Sequence, residues 1–173
     1  YGGMSFYQRK EIKDLIAYLR IVINPSDEEA LKRIINFPAR GIGKTSVDKA
    51  ILAANENDIS MWQVLDNLKD FNTGINAGTA NKISEFTTMI KTFSMMIPYK
   101  DAFECANHIA VTSGVVKDLY HDKTPEGVSR YENIQELLNG IKDFVEQERT
   151  PQEEDLKEAL EVISKLSPKV GGN

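Results

Sequence analysis

Apolar residues recur three or four positions apart along nearly the whole chain, and this spacing predicts helices joined by short polar turns. In "RKEIKDLIAYLRIVIN" the set Ile12, Leu15, Ile16, Leu19 and Ile23 forms one helical stripe. Asn24-Pro25 closes that helix, because a residue preceding proline is pushed out of the helical region. Ser26, with Glu29 three positions on, has the form of a capping box and predicts a second helix in "DEEALKRIINF". After "FPARGIGKT", helical spacing resumes at Val47, Ala50, Ile51 and Ala54, with Thr45 and Asp48 as the opening pair.

The second half continues in the same texture. "SMWQVLDNL" predicts a short helix in which Trp62 is a core anchor. A turn between Gly74 and Gly78 leads into a helix capped near Thr79, with Ile83, Phe86, Ile90 and Phe93 in register and Met95 and Met96 as core filler. Two shorter helices, "DAFECANHIAVTSG" and "VVKDLYHD", meet at Gly114. The loop "KTPEGVS" precedes a long helix, "RYENIQELLNGIKDFVEQE", with Tyr131, Ile134, Leu137, Leu138, Ile141 and Phe144 on one side. A final acidic helix, "EEDLKEALEVISKL", ends before Pro168 and a Gly-Gly tail expected to fray. The prediction is an all-α, multi-helix domain with helix–hairpin–helix-like turns; only the first few residues leave room for a short frayed strand. The segments around 34–55 and 71–93 resemble two related helix–turn–helix units, a likeness that does not by itself establish a repeat.

Composition narrows the function classes. The chain has 173 residues, 41% hydrophobic and 27% charged, the profile of a folded globular protein rather than a disordered one. No apolar run approaches the roughly 18–20 residues of a membrane span. Tyr1-Gly2-Gly3-Met4 has the form of neither a signal peptide nor an initiator start, so a fragment of a longer protein is expected. Cys105 is the sole cysteine, which fits a reducing cytoplasm, and His108 and His121 lack metal-site spacing, so no metal is expected. Residues 1–50 hold nine Lys/Arg against six Asp/Glu, while the remainder hold twelve against twenty. A basic head on an acidic body can turn one face toward a polyanion.

"FPARGIGKT" carries the chemistry. Gly43-Lys44-Thr45 ends like a nucleotide-binding P-loop, but five positions before Gly43 stands Pro38 where a P-loop needs glycine. A helix rather than a strand precedes it, and no downstream strand end supplies a magnesium carboxylate. The same residues suit the backbone of DNA. Gly41 and Gly43 open backbone angles closed to other residues, and Ile42 between them can anchor the turn in the helix pair. The next helix then points free N–H groups at solvent, with Arg40, Lys44 and the hydroxyls of Thr45 or Ser46 placed to add charge and hydrogen bonds to a phosphate. The plain alternative is a helix–turn–helix corner with an exposed lysine.

From Tyr1 to Gly43 the run "YGGMSFYQRKEIKDLIAYLRIVINPSDEEALKRIINFPARGIG" resembles the UvrD/PcrA/Rep group of superfamily 1 DNA helicases. The likeness rests on Gly2, Gly3, Phe6, Tyr7, Arg9, Glu11, Ile12, Lys13, Asp14, Tyr18, Leu19, Arg20, Asn24, Pro25 and Arg40 through Gly43. "SRYENIQELL", through Arg130, Glu132, Asn133 and Leu137, resembles a further family segment. Residues 55–125 match in helical texture alone, and 150–173 hardly at all.

The resemblance implies that residues 1–20 are the edge of motor domain 2A and the 2A/2B junction, 21–150 a helical 2B-like domain, and 151–173 a C-terminal acidic helix and tail. It implies duplex or fork contact by Gly41, Ile42, Gly43 and their neighbours, and places Arg9 and Lys13 near a single-strand channel. Glu11 and Asp14 are expected as structural partners of nearby basic residues. The family's ATP-binding lysine, magnesium carboxylates and arginine finger lie in segments this chain lacks. The chain is therefore expected to need no cofactor and to be inactive alone, whereas the parent is expected to be a bacterial, ATP- and magnesium-dependent 3′-to-5′ helicase of repair or replication restart. DNA and the remaining motor domains are the expected partners. The alternative function is a protein-binding or autoinhibitory helical module of the same helicase, centred on Tyr131, Trp62 and the methionine pair.

Overall fold

The computed structural model describes residues 3–148 and 152–166. Among these the chain is all-α: α1 (Gly3–Tyr7), α2 (Lys10–Ile23), α3 (Glu28–Ile34), α4 (Lys44–Asn57), α5 (Met61–Leu65), a 3-10 turn (Leu68–Asp70), α6 (Ala77–Met96), α7 (Ala102–Thr112), α8 (Val115–His121), α9 (Pro125–Glu148) and α10 (Gln152–Leu166). The room left for an N-terminal strand is taken by the single helical turn α1, whose adjacent Phe6 and Tyr7 both pack into the core, their rings edge to face. A strand there would have had no partner to complete its hydrogen bonds.

α2 is the hub. It packs on α1, α3, α6, α7, α9 and α10, and a helix with neighbours on so many sides buries more than one stripe. Beyond the predicted Ile12, Leu15, Ile16 and Leu19, it also buries Ala17, Tyr18, Ile21 and Val22. Two carboxylates are enclosed with it. Asp14 accepts from Arg33 Nε at 2.7 Å and from Lys10 Nζ at 2.8 Å, the second being an i,i+4 pair of the expected kind. Glu11 is held differently: it accepts from Asn133 Nδ2 of α9 at 2.7 Å. Buried charges persist only where such partners satisfy them.

Several local expectations are corrected. α3 is capped by Asp27, whose carboxylate accepts from the Ala30 N–H at 3.2 Å, while the Ser26 N–H donates to Asn24 Oδ1. α6 is capped by Asn76, with Thr79 supplying the N–H rather than the cap. α9 begins at Pro125, inside the segment expected as a loop. Proline suits the first helical position, and the Thr124 hydroxyl accepts from the Gly127 N–H at 3.1 Å. Met95 is 72% exposed, because the inward face of α6 is set by Phe86, Ile90 and Phe93, while Met96 and Trp62 are half-buried against the core. The Gly-Gly tail lies outside the described residues.

Candidate nucleic-acid interface

Between α3 and α4 the chain reverses through residues 35–43, with a cis Phe37–Pro38 peptide. Gly41 has φ +81°, in the left-handed region that a side chain disfavours. The Asn36 side chain holds the turn from within: its Oδ1 accepts from the Arg40 N–H at 2.8 Å and the Ile42 N–H at 3.1 Å. Ile42 is buried, so it anchors the turn as expected and offers a ligand no side chain.

Arg40 points inward. Nη1 donates to the carbonyls of Ile34 (3.0 Å) and Phe37 (2.9 Å), and Nη2 donates to Ser113 O (3.2 Å) and to the Tyr18 hydroxyl. Tyr18 in turn donates to Phe37 O. The guanidinium also faces the Phe86 ring, 5.2 Å from its centroid. Burial pushes the Tyr18 phenol up to about 12, against the opposing pull of the Arg40 charge. Both terminal nitrogens of Arg40 are thus engaged in tying α2, the end of α3 and the α7–α8 junction around the turn.

What the turn shows to solvent is the start of α4. Gly43 is its N-cap, one step before Lys44 and two before the expected Thr45, and it has no side chain to cap the first-turn N–H groups. By contrast α3, α5, α6 and α7 are closed by Asp27, Ser60, Asn76 and Asp101. Gly41, Gly43, Lys44 and Thr45 are exposed and Ser46 is half-buried. Lys44 Nζ pairs with Asp48 at 2.9 Å across one exposed turn. An uncapped helix start of this kind attracts anions through its free N–H groups and the positive end of its dipole.

A second turn repeats the plan. Gly74 has φ +76°, Ile75 follows, and Asn76 is the N-cap of α6, matching Gly41, Ile42 and Gly43 in register. Each glycine is followed eight positions later by a lysine, Lys49 and Lys82, and each lysine reaches the other unit's turn. Lys49 Nζ donates to Gly74 O at 3.1 Å. Lys82 Nζ lies so close to Gly41 that a Cβ there would be 2.6 Å from it. Sequence reasoning missed both lysines; the shared Gly-Ile-x6-Lys register was the available signal. Arg9, the exposed N-cap of α2, and the half-buried Lys13 one turn on make no side-chain hydrogen bond or ion pair among the described residues, and no contact draws them into the turn.

A profile of the UvrD-like helicase C-terminal domain matches residues 1–169. The chain belongs to that family. Among its relatives, the ATP-dependent DNA helicase PcrA of Bacillus subtilis is 40% identical over 143 residues, covering 83% of this chain and 19% of the relative. PcrA of Staphylococcus aureus is 39% identical over 153 residues, 88% of this chain and 20% of the relative. The chain thus spans about a fifth of the length of these relatives. Within this UvrD-like chain, the Glu11–Asn133 bond joins the two separated segments that carry the helicase likeness, "EIKD" and "YENIQELL", into one unit.

Proposed function

We propose that this chain is the 2B subdomain of an ATP-dependent 3′-to-5′ DNA helicase, contacting the backbone of duplex or forked DNA and regulating the motor. The observation that carries the reading is the exposed, glycine-capped start of α4, the one glycine turn of the pair whose helix has no side-chain cap. Gly41, Gly43, Lys44, Thr45 and Ser46 would meet a phosphate through N–H groups, an ammonium and hydroxyls. Ile42 and Arg40 would act from behind, one as an anchor and the other as a brace. Contacts of this type position a duplex without reading its sequence.

The division of residues 1–20, 21–150 and 151–173 into 2A edge, 2B body and tail belongs to the same proposal, as do ATP and magnesium for the parent and its cytoplasmic, bacterial setting. α2 crosses the first boundary unbroken, so a 2A edge and a 2B body would share this helix rather than part at residue 20. Arg9 and Lys13 would serve a single strand only with the motor present. The runner-up, a protein-docking module, has in its favour the exposed Met95 and Tyr99 at the end of α6.

The test is fluorescence anisotropy with a labelled forked duplex at low and moderate salt, on the chain and on a Lys44→Ala/Thr45→Ala variant. Affinity should fall steeply with salt, because phosphate contacts release counterions, and should be weaker in the variant. Affinity that is flat in salt sinks the reading. Duplex-stimulated ATP hydrolysis by the chain alone would overturn the assignment of catalysis to the rest of the parent.

A further inference from the structure

We propose that Lys82, from α6 and outside the glycine-turn motif, is the principal cation that binds a DNA phosphate at the start of α4. The inference rests on the duplex-contacting reading above and assigns its charge to a residue that motif does not contain.

Three cations lie around the turn, and their surroundings separate them. Arg40 has both terminal nitrogens engaged by Ile34, Phe37, Ser113 and Tyr18. Lys44 already shares its charge with Asp48 at 2.9 Å across an exposed turn, a weak pair that leaves it a secondary contact. Lys82 is exposed and has no ion-pair or hydrogen-bond partner among the described residues, although Glu85 lines the same cleft. Its side chain lies directly on the turn: a Cβ at Gly41 would be 2.6 Å from Nζ and 3.3 Å from Cδ. Gly41 therefore both adopts a left-handed conformation and leaves room for the ammonium.

The two-unit arrangement sharpens the assignment. At the second turn the lysine and the helix start each have an internal partner: Lys49 donates to Gly74 O, and Asn76 caps the Thr79 N–H at 2.8 Å. At the first turn neither the helix start nor the lysine has an internal acceptor. An ammonium beside the entry to α4 adds positive charge near the positive end of a helix, an unfavourable pairing in the free protein. A phosphate oxygen between them turns both into attractive, charge-assisted contacts. The same geometry explains why the lysine reaches across from the other unit. From α6 it approaches the turn beside Gly41 while the α4 N–H groups remain uncovered.

The experiment is the salt series with a labelled forked duplex, on the unaltered chain, Lys82→Ala, Lys82→Arg and Lys157→Ala. Lys157→Ala makes the same charge change on α10, an element with no substantial packing against α4 or α6. Thermal melts establish that each variant is folded, as substitution of an exposed lysine should allow. Lys82→Ala should bind several-fold more weakly at low salt, with the slope of log affinity against log salt shallower by about one. Lys82→Arg should restore the slope, and Lys157→Ala should bind like the unaltered chain. If the unaltered chain binds with a steep salt slope but Lys82→Ala matches Lys157→Ala, the assignment to Lys82 is overturned and the duplex reading stands. Absence of salt-sensitive binding by the unaltered chain overturns both.

Discussion

Removing the Arg40 side chain would leave Ser113 O and the accepting side of the Tyr18 hydroxyl without their donor, and the carbonyls of Ile34 and Phe37 with one donor each, in a partly buried site. Unpaired groups of this kind each cost on the order of 1–3 kcal/mol. Arg40→Ala should therefore destabilise the chain by roughly 2–4 kcal/mol in urea unfolding. Arg40→Lys should recover little, since one ammonium cannot span the acceptors that a planar fork reaches. Loss of DNA binding in Arg40→Ala would thus report on the shape of the turn, and Lys44, Thr45 and Lys82 are the cleaner probes of phosphate contact. Tyr18, in the same network, gives a pH signature. Its folded pKa of about 12 lies above the ordinary phenol value, so the folded state holds the proton more tightly. The associated stability is complete below about pH 10 and is lost as pH rises from there through about 12. Stability measured from pH 9 to 12 should fall more steeply in the unaltered chain than in Tyr18→Phe. Parallel curves would show that other groups dominate alkaline unfolding.

At the level of elements, apolar periodicity located the helices because nearly every one lays a face on a shared core, and Ile42 was legible as an anchor between two glycines. Helix starts were not. Ser26 stands beside Asp27, and Asn76 lies three before Thr79, so several capping side chains compete within one turn. Which one wins depends on the direction from which the chain enters, a tertiary matter. Capping substitutions separate them: Asp27→Ala should cost about 1 kcal/mol, and Ser26→Ala no more than a few tenths. Equal losses would contradict the observed cap. Met95 and Met96 are a similar case, since adjacent residues on a helix point about 100° apart and the sequence gives both the same chemistry. The candidate site was half legible. The exposed glycine turn with Lys44 and Thr45 at the start of α4 was legible as a place, but Arg40 looked like a surface cation because its acceptors are carbonyls, which no side-chain pattern records. Lys82 escaped notice because its relation to Gly41 spans 41 residues and exists only once α6 crosses the first turn.

Across the whole molecule the acidic helix expected near the C-terminus is part of the core. α10 buries Leu156, Ala159, Leu160 and Ile163 against α1, α2, α7 and α9, and Ser164 accepts from Arg20 Nη2 at 2.9 Å. Burying each large apolar side chain is worth about 1.5–3 kcal/mol, so three of them approach the whole stability of an ordinary domain. A chain ending at residue 150 should lose its cooperative thermal transition or melt far below the intact chain. The consequence should reach the interface. α2 is held on one side by α10 through Arg20 and on another carries Tyr18, which ties Phe37 and Arg40 behind the glycine turn. Loosening α2 therefore removes the brace behind the turn. The shortened chain should also lose the salt-sensitive affinity for forked DNA proposed for the intact chain, unless the turn is held by Asn36 and Ile42 alone. Retention of that affinity alongside a collapsed melting transition would separate the two and show the α3–α4 unit to be locally self-sufficient.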